Sequence, residues 1–123
     1  MEFDLLSRRV IGCALEVHKN LGPGLLESTY ETCLVHEFSK AGIAVERQKS
    51  LPIQYKELLL NAGYRVDLLV EKNLIVELKS ATEIIPIFEA QILTYMWLAN
   101  ISTGLRINFN VTLLKQGIKR FVL

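Results

Sequence analysis

The sequence is poor in the features that would assign it to a special class. Of its 123 residues two are cysteine, Cys13 and Cys33, with no C-x-x-C pair and no histidine at zinc-finger spacing. That excludes a disulfide framework, a structural zinc site and an all-cysteine iron–sulfur cluster, and both thiols read as reduced and helix-packed. No apolar run approaches the roughly 20 residues of a membrane span. The opening MEFDLLSRRV places acids before its arginines, unlike a secretory signal, so a cytoplasmic location away from membranes is the expectation. Charge of one sign is also lacking: fourteen basic and thirteen acidic side chains leave a net +1, so any nucleic-acid binding must come from a local patch. Repeats, low-complexity tracts and linkers are absent too, and the length suits a single domain covering residues 1–123.

What is present reads as a mixed α/β pattern. Phe3, Leu6, Val10, Cys13, Ala14 and Val17 recur at helical spacing and predict an amphipathic helix over residues 3–20. It stops at Leu21-Gly22-Pro23-Gly24, and a second helix follows from about residue 25 to residue 41, closed by Gly42. From Ile43 onward β-branched and alternating residues predict strands at about 43–56, 63–70 and 74–80, with a short extra strand at 57–60. Pro86 suits the first turn of a helix running to about Asn100. A strand near 105–110 and a hairpin through Gly117 to Leu123 close the chain.

The stretch YRVDLLVEKNLIVELKSA, Tyr64 to Ala81, poses the functional question. A three-residue loop at 71–73 pairs Val70 with Leu74 and therefore Asp67 with Glu77, since loop length fixes register. Alternation then puts Lys79 on the face of Glu77 and leaves Val66, Leu68, Val70, Val76 and Leu78 on an apolar face. Like charges opposed across a strand pair destabilise it, so a cation should bridge the carboxylates. A divalent ion with oxygen ligands, leaving Lys79 to face a water beside it, is one answer. An internal salt-bridge cluster on a solvated face is the other. Glu27 opens the second helix with Tyr30 in the same row; it is a third acidic ligand or a helix-dipole partner, and Tyr30 a site residue or a core aromatic. Gln91 and Tyr95 share one edge of the later helix at i, i+4. His18 suits a helix C-terminus or faces a metal or phosphate.

At these residues the chain resembles a known family. GLLESTY, Gly24 to Tyr30, matches the G-x-x-E-x-x-Y signature of the GxxExxY protein family, within the PD-(D/E)XK nuclease superfamily. The resemblance continues through ERQKSLPIQYK, EAQILTYM and GLRINFNVTLLKQGIKRFVL. It implies a restriction-endonuclease-like α/β core, a mixed central β-sheet flanked by helices, and phosphodiester hydrolysis of DNA or RNA with Mg²⁺ or Mn²⁺. Asp67 matches the motif aspartate, Glu77 and Lys79 the E-x-K, and Glu27 the acidic residue of the first core helix. Gln91 with Tyr95 resembles the Q-x-x-x-Y element of RecB-like nucleases, and His18 is similar to their helix histidine. Val66 stands where the nominal motif has proline. On this resemblance Asp67, Glu77, Glu27 and His18 are metal ligands, and Lys79 acts on the water. Gln91, Tyr95 and Tyr30 meet substrate, and Arg47, Lys49, Arg65 and Arg106 are candidate phosphate contacts. The alternative is a catalytically silent module of the same fold that binds nucleic acid or a protein partner. A homodimer reaching both strands fits either case.

Overall fold

The computed structural model describes residues 4–123. Helix α1, Leu5–Leu21, begins where the Asp4 carboxylate accepts from the Ser7 N–H at 2.8 Å, a side-chain N-cap. Phe3, assigned by the periodicity to this helix, lies outside the described residues. Helix α2, Glu27–Ala41, ends on Gly42 in the left-handed region, as the glycine there suggests.

Seven strands follow: β1 Val45–Ser50, β2 Ile53–Tyr55, β3 Leu58–Leu60, β4 Arg65–Val70, β5 Leu74–Lys79, then helix α3 Pro86–Ala99, and finally β6 Thr103–Asn108 and β7 Ile118–Val122. Five of them form one mixed sheet in the order β1-β4-β5-β6-β7, with β5 and β6 parallel and the other neighbours antiparallel. The parallel pair requires a crossover, which α3 supplies, entered at Pro86 in the first helical turn. The expected mixed central sheet flanked by helices is therefore what the chain forms.

One expectation is corrected. Residues 43–56 are not a single strand: the chain leaves the sheet at Leu51-Pro52, and Ile53–Tyr55 pairs with Leu58–Leu60 in a separate two-stranded arm. Proline donates no ladder hydrogen bond, which fits a break at this point.

Each face of the sheet has its own core. Val10, Ala14, Val17, Leu34 and Phe38 of the first two helices pack with Leu68, Val70, Val76 and Leu78. On the other face Ile92 and Met96 of α3 pack with Ile75, Val66 and Phe121. Gly104 sets the approach of α3, because a Cβ there would lie 2.7 Å from Met96 Sδ. Val66 departs from the expected apolar face, which Leu68 keeps. Strict alternation would keep the two together, so β4 turns between them, at Asp67.

Candidate active site

The turn in β4 has a visible cause on each side. The β4–β5 ladder pairs Val70 with Leu74 and Leu68 with Val76, the register fixed by the three-residue loop. At the next step side chains replace main-chain pairing. The Asp67 N–H donates to Glu77 Oε1 at 3.2 Å, and the Leu78 N–H donates to Asp67 Oδ2 at 2.8 Å. Across the other edge, Gln48 of β1 adopts φ 47, a left-handed conformation inside a strand. Its amide reaches Glu31 Oε1 at 2.7 Å and Asp67 Oδ1 at 3.4 Å. A non-glycine residue held there is strained, and such strain concentrates at functional sites.

Asp67 and Glu77 thus meet where the strands part. Glu77 is 7% exposed, and burial with the adjacent Asp67 charge pushes its carboxyl up from 4.5 to about 8. The Asp67 N–H and Lys79 pull the other way and do not prevail. Near neutral pH the pair therefore holds a proton where two charges would otherwise face each other. The carboxylate oxygens of this pair are hard donors, of the kind that Mg²⁺ and Mn²⁺ take. The donor set fits such an ion, which would stand in for the shared proton.

Helix α2 supplies the opposite wall. Glu27, Ser28 and Glu31 line a cleft of about 460 Å³ with Gln48, Asp67 and Leu78. Glu27 is placed by its neighbours: its Oε2 accepts from the Ser80 N–H at 3.4 Å, while the Ser80 hydroxyl donates to the Leu25 carbonyl at 2.6 Å. The structure brings Glu27 and Asp67 into one cleft, but among the described residues no three His, Cys, Asp or Glu side chains are gathered tightly enough to hold a metal ion. The ligand set of Asp67, Glu77 and Glu27 is accordingly not preassembled.

One assignment is corrected. Tyr30 is fully buried, so it cannot meet a substrate. Its ring stacks on Phe109 at 4.4 Å, and its hydroxyl donates to the Gly22 carbonyl at 2.6 Å and accepts from the Leu25 N–H at 3.2 Å. It fastens the Gly-Pro-Gly turn and so sets the start of α2, and with it Glu27. His18 is engaged by the main chain: its Nε2 lies 2.8 Å from the Val111 carbonyl.

Lys79 takes a position the sequence does not announce. Its Nζ sits 4.2 Å from the centroid of the Phe88 ring, in the first turn of α3, and it forms no ion pair with Asp67 or Glu77. Along the same helix Gln91 Nε2 donates to the Tyr95 hydroxyl at 3.0 Å, and Tyr95 meets Tyr64 edge-on at 6.4 Å. Asn108 steadies the end of β5, its side chain bonding both the N–H and the carbonyl of Ala81. Of the candidate phosphate contacts, Arg47 is tied to Glu31 at 3.1 Å and Lys49 to Glu46 at 3.3 Å. Arg65 is exposed, and Arg106 is half-buried.

Sequence reading missed Gln48, Glu31 and Phe88. Glu31 follows Glu27 by four residues, a spacing that places two acids on one helix face and could have drawn notice. For Gln48 and Phe88 the sequence carries no comparable signal.

The family model of the PD-(D/E)XK nuclease superfamily matches residues 4–121. No curated protein and no solved structure matches the chain.

Proposed function

The chain belongs to the PD-(D/E)XK nuclease superfamily, and from that premise we propose that it hydrolyses phosphodiester bonds of DNA or RNA with Mg²⁺ or Mn²⁺ held at Asp67 and Glu77. The observation that carries this reading is the meeting of those carboxylates at the parting of β4 and β5, with no cation among the described residues paired to either. A carboxyl raised to about 8 by burial and a like charge is an incomplete electrostatic arrangement that a divalent cation completes. Glu27, lining the same cleft, is the third acidic group available to it.

Asp67 and Glu77 would hold the ion, whose chemistry there would be Lewis-acid polarisation of the scissile phosphate and activation of water. The remaining work falls to the chain. Asp67 is aimed by the Leu78 N–H and the Gln48 amide, so its carboxylate needs little reorganisation. Lys79 swings from Phe88 to orient the attacking water and to offset charge on the phosphoryl oxygens. A cation–π contact of this kind contributes about 0.5–1 kcal/mol when exposed, so leaving it costs little. Gln91 and Tyr95, bonded to each other on the flank of α3, position the nucleic-acid backbone.

The Gly24-to-Tyr30 signature supports placing the chain among the GxxExxY proteins. Its glycine, glutamate and tyrosine are parts of one device: the Tyr30 hydroxyl holds the turn and the turn delivers Glu27.

A second reading, binding of nucleic acid or a protein partner without turnover, draws on the dispersed acids and on Lys79 resting against Phe88. The two separate in a cleavage panel of single- and double-stranded DNA and RNA with Mg²⁺ or Mn²⁺. Cleavage of at least one member, stopped by chelator, is the expected result. No cleavage of any member overturns the enzymatic reading in favour of the silent module.

A further inference from the structure

Arg106, on β6, is a charged group that the carboxylate site leaves without a partner. Its Nε and Nη1 are sealed from solvent, and among the described residues neither has a hydrogen-bond acceptor. Burial lowers its pKa, against the opposing pull of Glu89. Its guanidinium stands 5.6 Å from the Phe121 ring centroid. Buried donors in native structures are nearly always paired, so two sealed N–H groups on a half-buried guanidinium call for an acceptor.

The surroundings indicate what the missing acceptor is. Register places Glu77, Arg106 and Lys119 in one row across β5, β6 and β7. Residues directly opposite on neighbouring strands share a face, and Gly104, two residues before Arg106, is where α3 closes on that face. Glu89, in the first turn of α3, pairs with Lys119 at 3.0 Å, both side chains being 46% exposed. Two cations thus share one carboxylate, and that carboxylate is committed to the outer of the two. An ion pair this exposed contributes little and exchanges readily for another anion. Arg106 lies one strand spacing, about 4.8 Å, from the Glu77 position.

We propose that Arg106 and Lys119 form a subsite for a phosphodiester group of the substrate strand next to the one at Asp67 and Glu77, and that Glu89 holds its place in the free protein. The identity of the strand rests on the nuclease reading; the anion site itself does not. The phosphate displaces Glu89 from Lys119 and gives the guanidinium N–H groups the acceptor they lack. Guanidinium and phosphate form charge-assisted hydrogen bonds, the strong kind for this pairing.

The test is binding of 12-nucleotide single- and double-stranded DNA and RNA by fluorescence anisotropy, in chelator and across a salt series, for wild type, Arg106→Met and Glu89→Gln. Arg106→Met should weaken binding to all sequences alike and reduce the slope of log K against log salt by about 1. Glu89→Gln should tighten binding severalfold. The melting temperature of Arg106→Met should equal or exceed that of wild type, because methionine fills the same space without two unpaired buried donors. Should that variant fail to fold, Arg106→Lys takes its place, with weakened binding expected. In parallel, inorganic phosphate at constant ionic strength should raise the melting temperature of wild type and not of the Arg106 variant. An unchanged salt slope with unchanged affinity overturns the subsite, as does equal stabilisation by phosphate of both proteins. Cleavage by wild type alongside an unchanged slope removes the subsite and leaves the nuclease. Arg106-dependent binding with no cleavage of any substrate removes the nuclease and supports the subsite. If wild type binds no oligonucleotide, the phosphate arm decides.

Discussion

Replacing Glu77 with glutamine should stabilise the metal-free protein, although it removes a residue assigned to the active site. Glu77 is 7% exposed, and its carboxyl is raised from 4.5 to about 8, first by burial and then by Asp67. In the unfolded chain the same group titrates near its ordinary value. Between those two values the folded protein retains a proton that the unfolded chain releases. Stability from this group is therefore complete below about pH 4.5 and is lost as pH rises through about 8. The loss runs at about 1.4 kcal/mol per pH unit, which between pH 5.5 and 8 amounts to about 3 kcal/mol. In a domain of this size that is roughly 10 °C in melting temperature. Glutamine does not titrate, so Glu77→Gln should show a flatter profile, with its advantage growing over the same interval. Thermal unfolding followed by circular dichroism, in chelator, from pH 5.5 to 8, measures both curves. Adding Mn²⁺ should restore wild type at the alkaline end and do less for the variant, because the ion takes the place of the proton. Parallel curves for the two proteins across the interval would show that Glu77 carries no proton-linked stability.

Other predictions concern residues that hold the site. Tyr30→Phe strips two hydrogen bonds from the Gly22–Leu25 turn and should cost about 1–2 kcal/mol in denaturant unfolding while leaving the stacked ring in place. Gln48→Gly relieves the left-handed strain and Gln48→Ala does not, so the glycine variant should be the more stable by about 1 kcal/mol. Both should cut more slowly than wild type, since neither holds Asp67. Phe88→Leu removes the ring that Lys79 must leave to act and should raise the cleavage rate by about two- to fivefold with little change in stability, whereas Phe88→Tyr, which keeps the aromatic face, should match wild type. A rate that falls in Phe88→Leu would show that the ring holds Lys79 in its working position instead.

Local rules made much of this legible from sequence. The loop at residues 71–73 leaves one register for β4 and β5, so the meeting of Asp67 with Glu77 follows from loop length and alternation. Pro86 marks the start of α3, and Gly42 the end of α2, through backbone preferences of single residues. What stayed hidden depends on contacts between distant parts of the chain. Tyr30 shares a helical row with Glu27, yet its depth is decided by Phe109, far along the sequence. Glutamine has no intrinsic preference for the left-handed region, so the conformation of Gln48 is imposed by Glu31 and Asp67. The break at Leu51-Pro52 interrupts a run whose alternation continues into the β2–β3 arm, so the pattern alone reads as one long strand. Lys79 meets Phe88 only because the crossover brings α3 back over the end of β5.

The proposed joint action of Asp67, Glu77 and Lys79 on a phosphodiester is measured by comparing cleavage by wild type, Lys79→Ala and Asp67→Asn on whichever substrate wild type cuts in Mg²⁺ or Mn²⁺, with melting temperatures taken alongside. Both variants should remain folded, with cleavage falling to the level seen in chelator. Cleavage at the wild-type rate by folded Lys79→Ala would rule that joint action out.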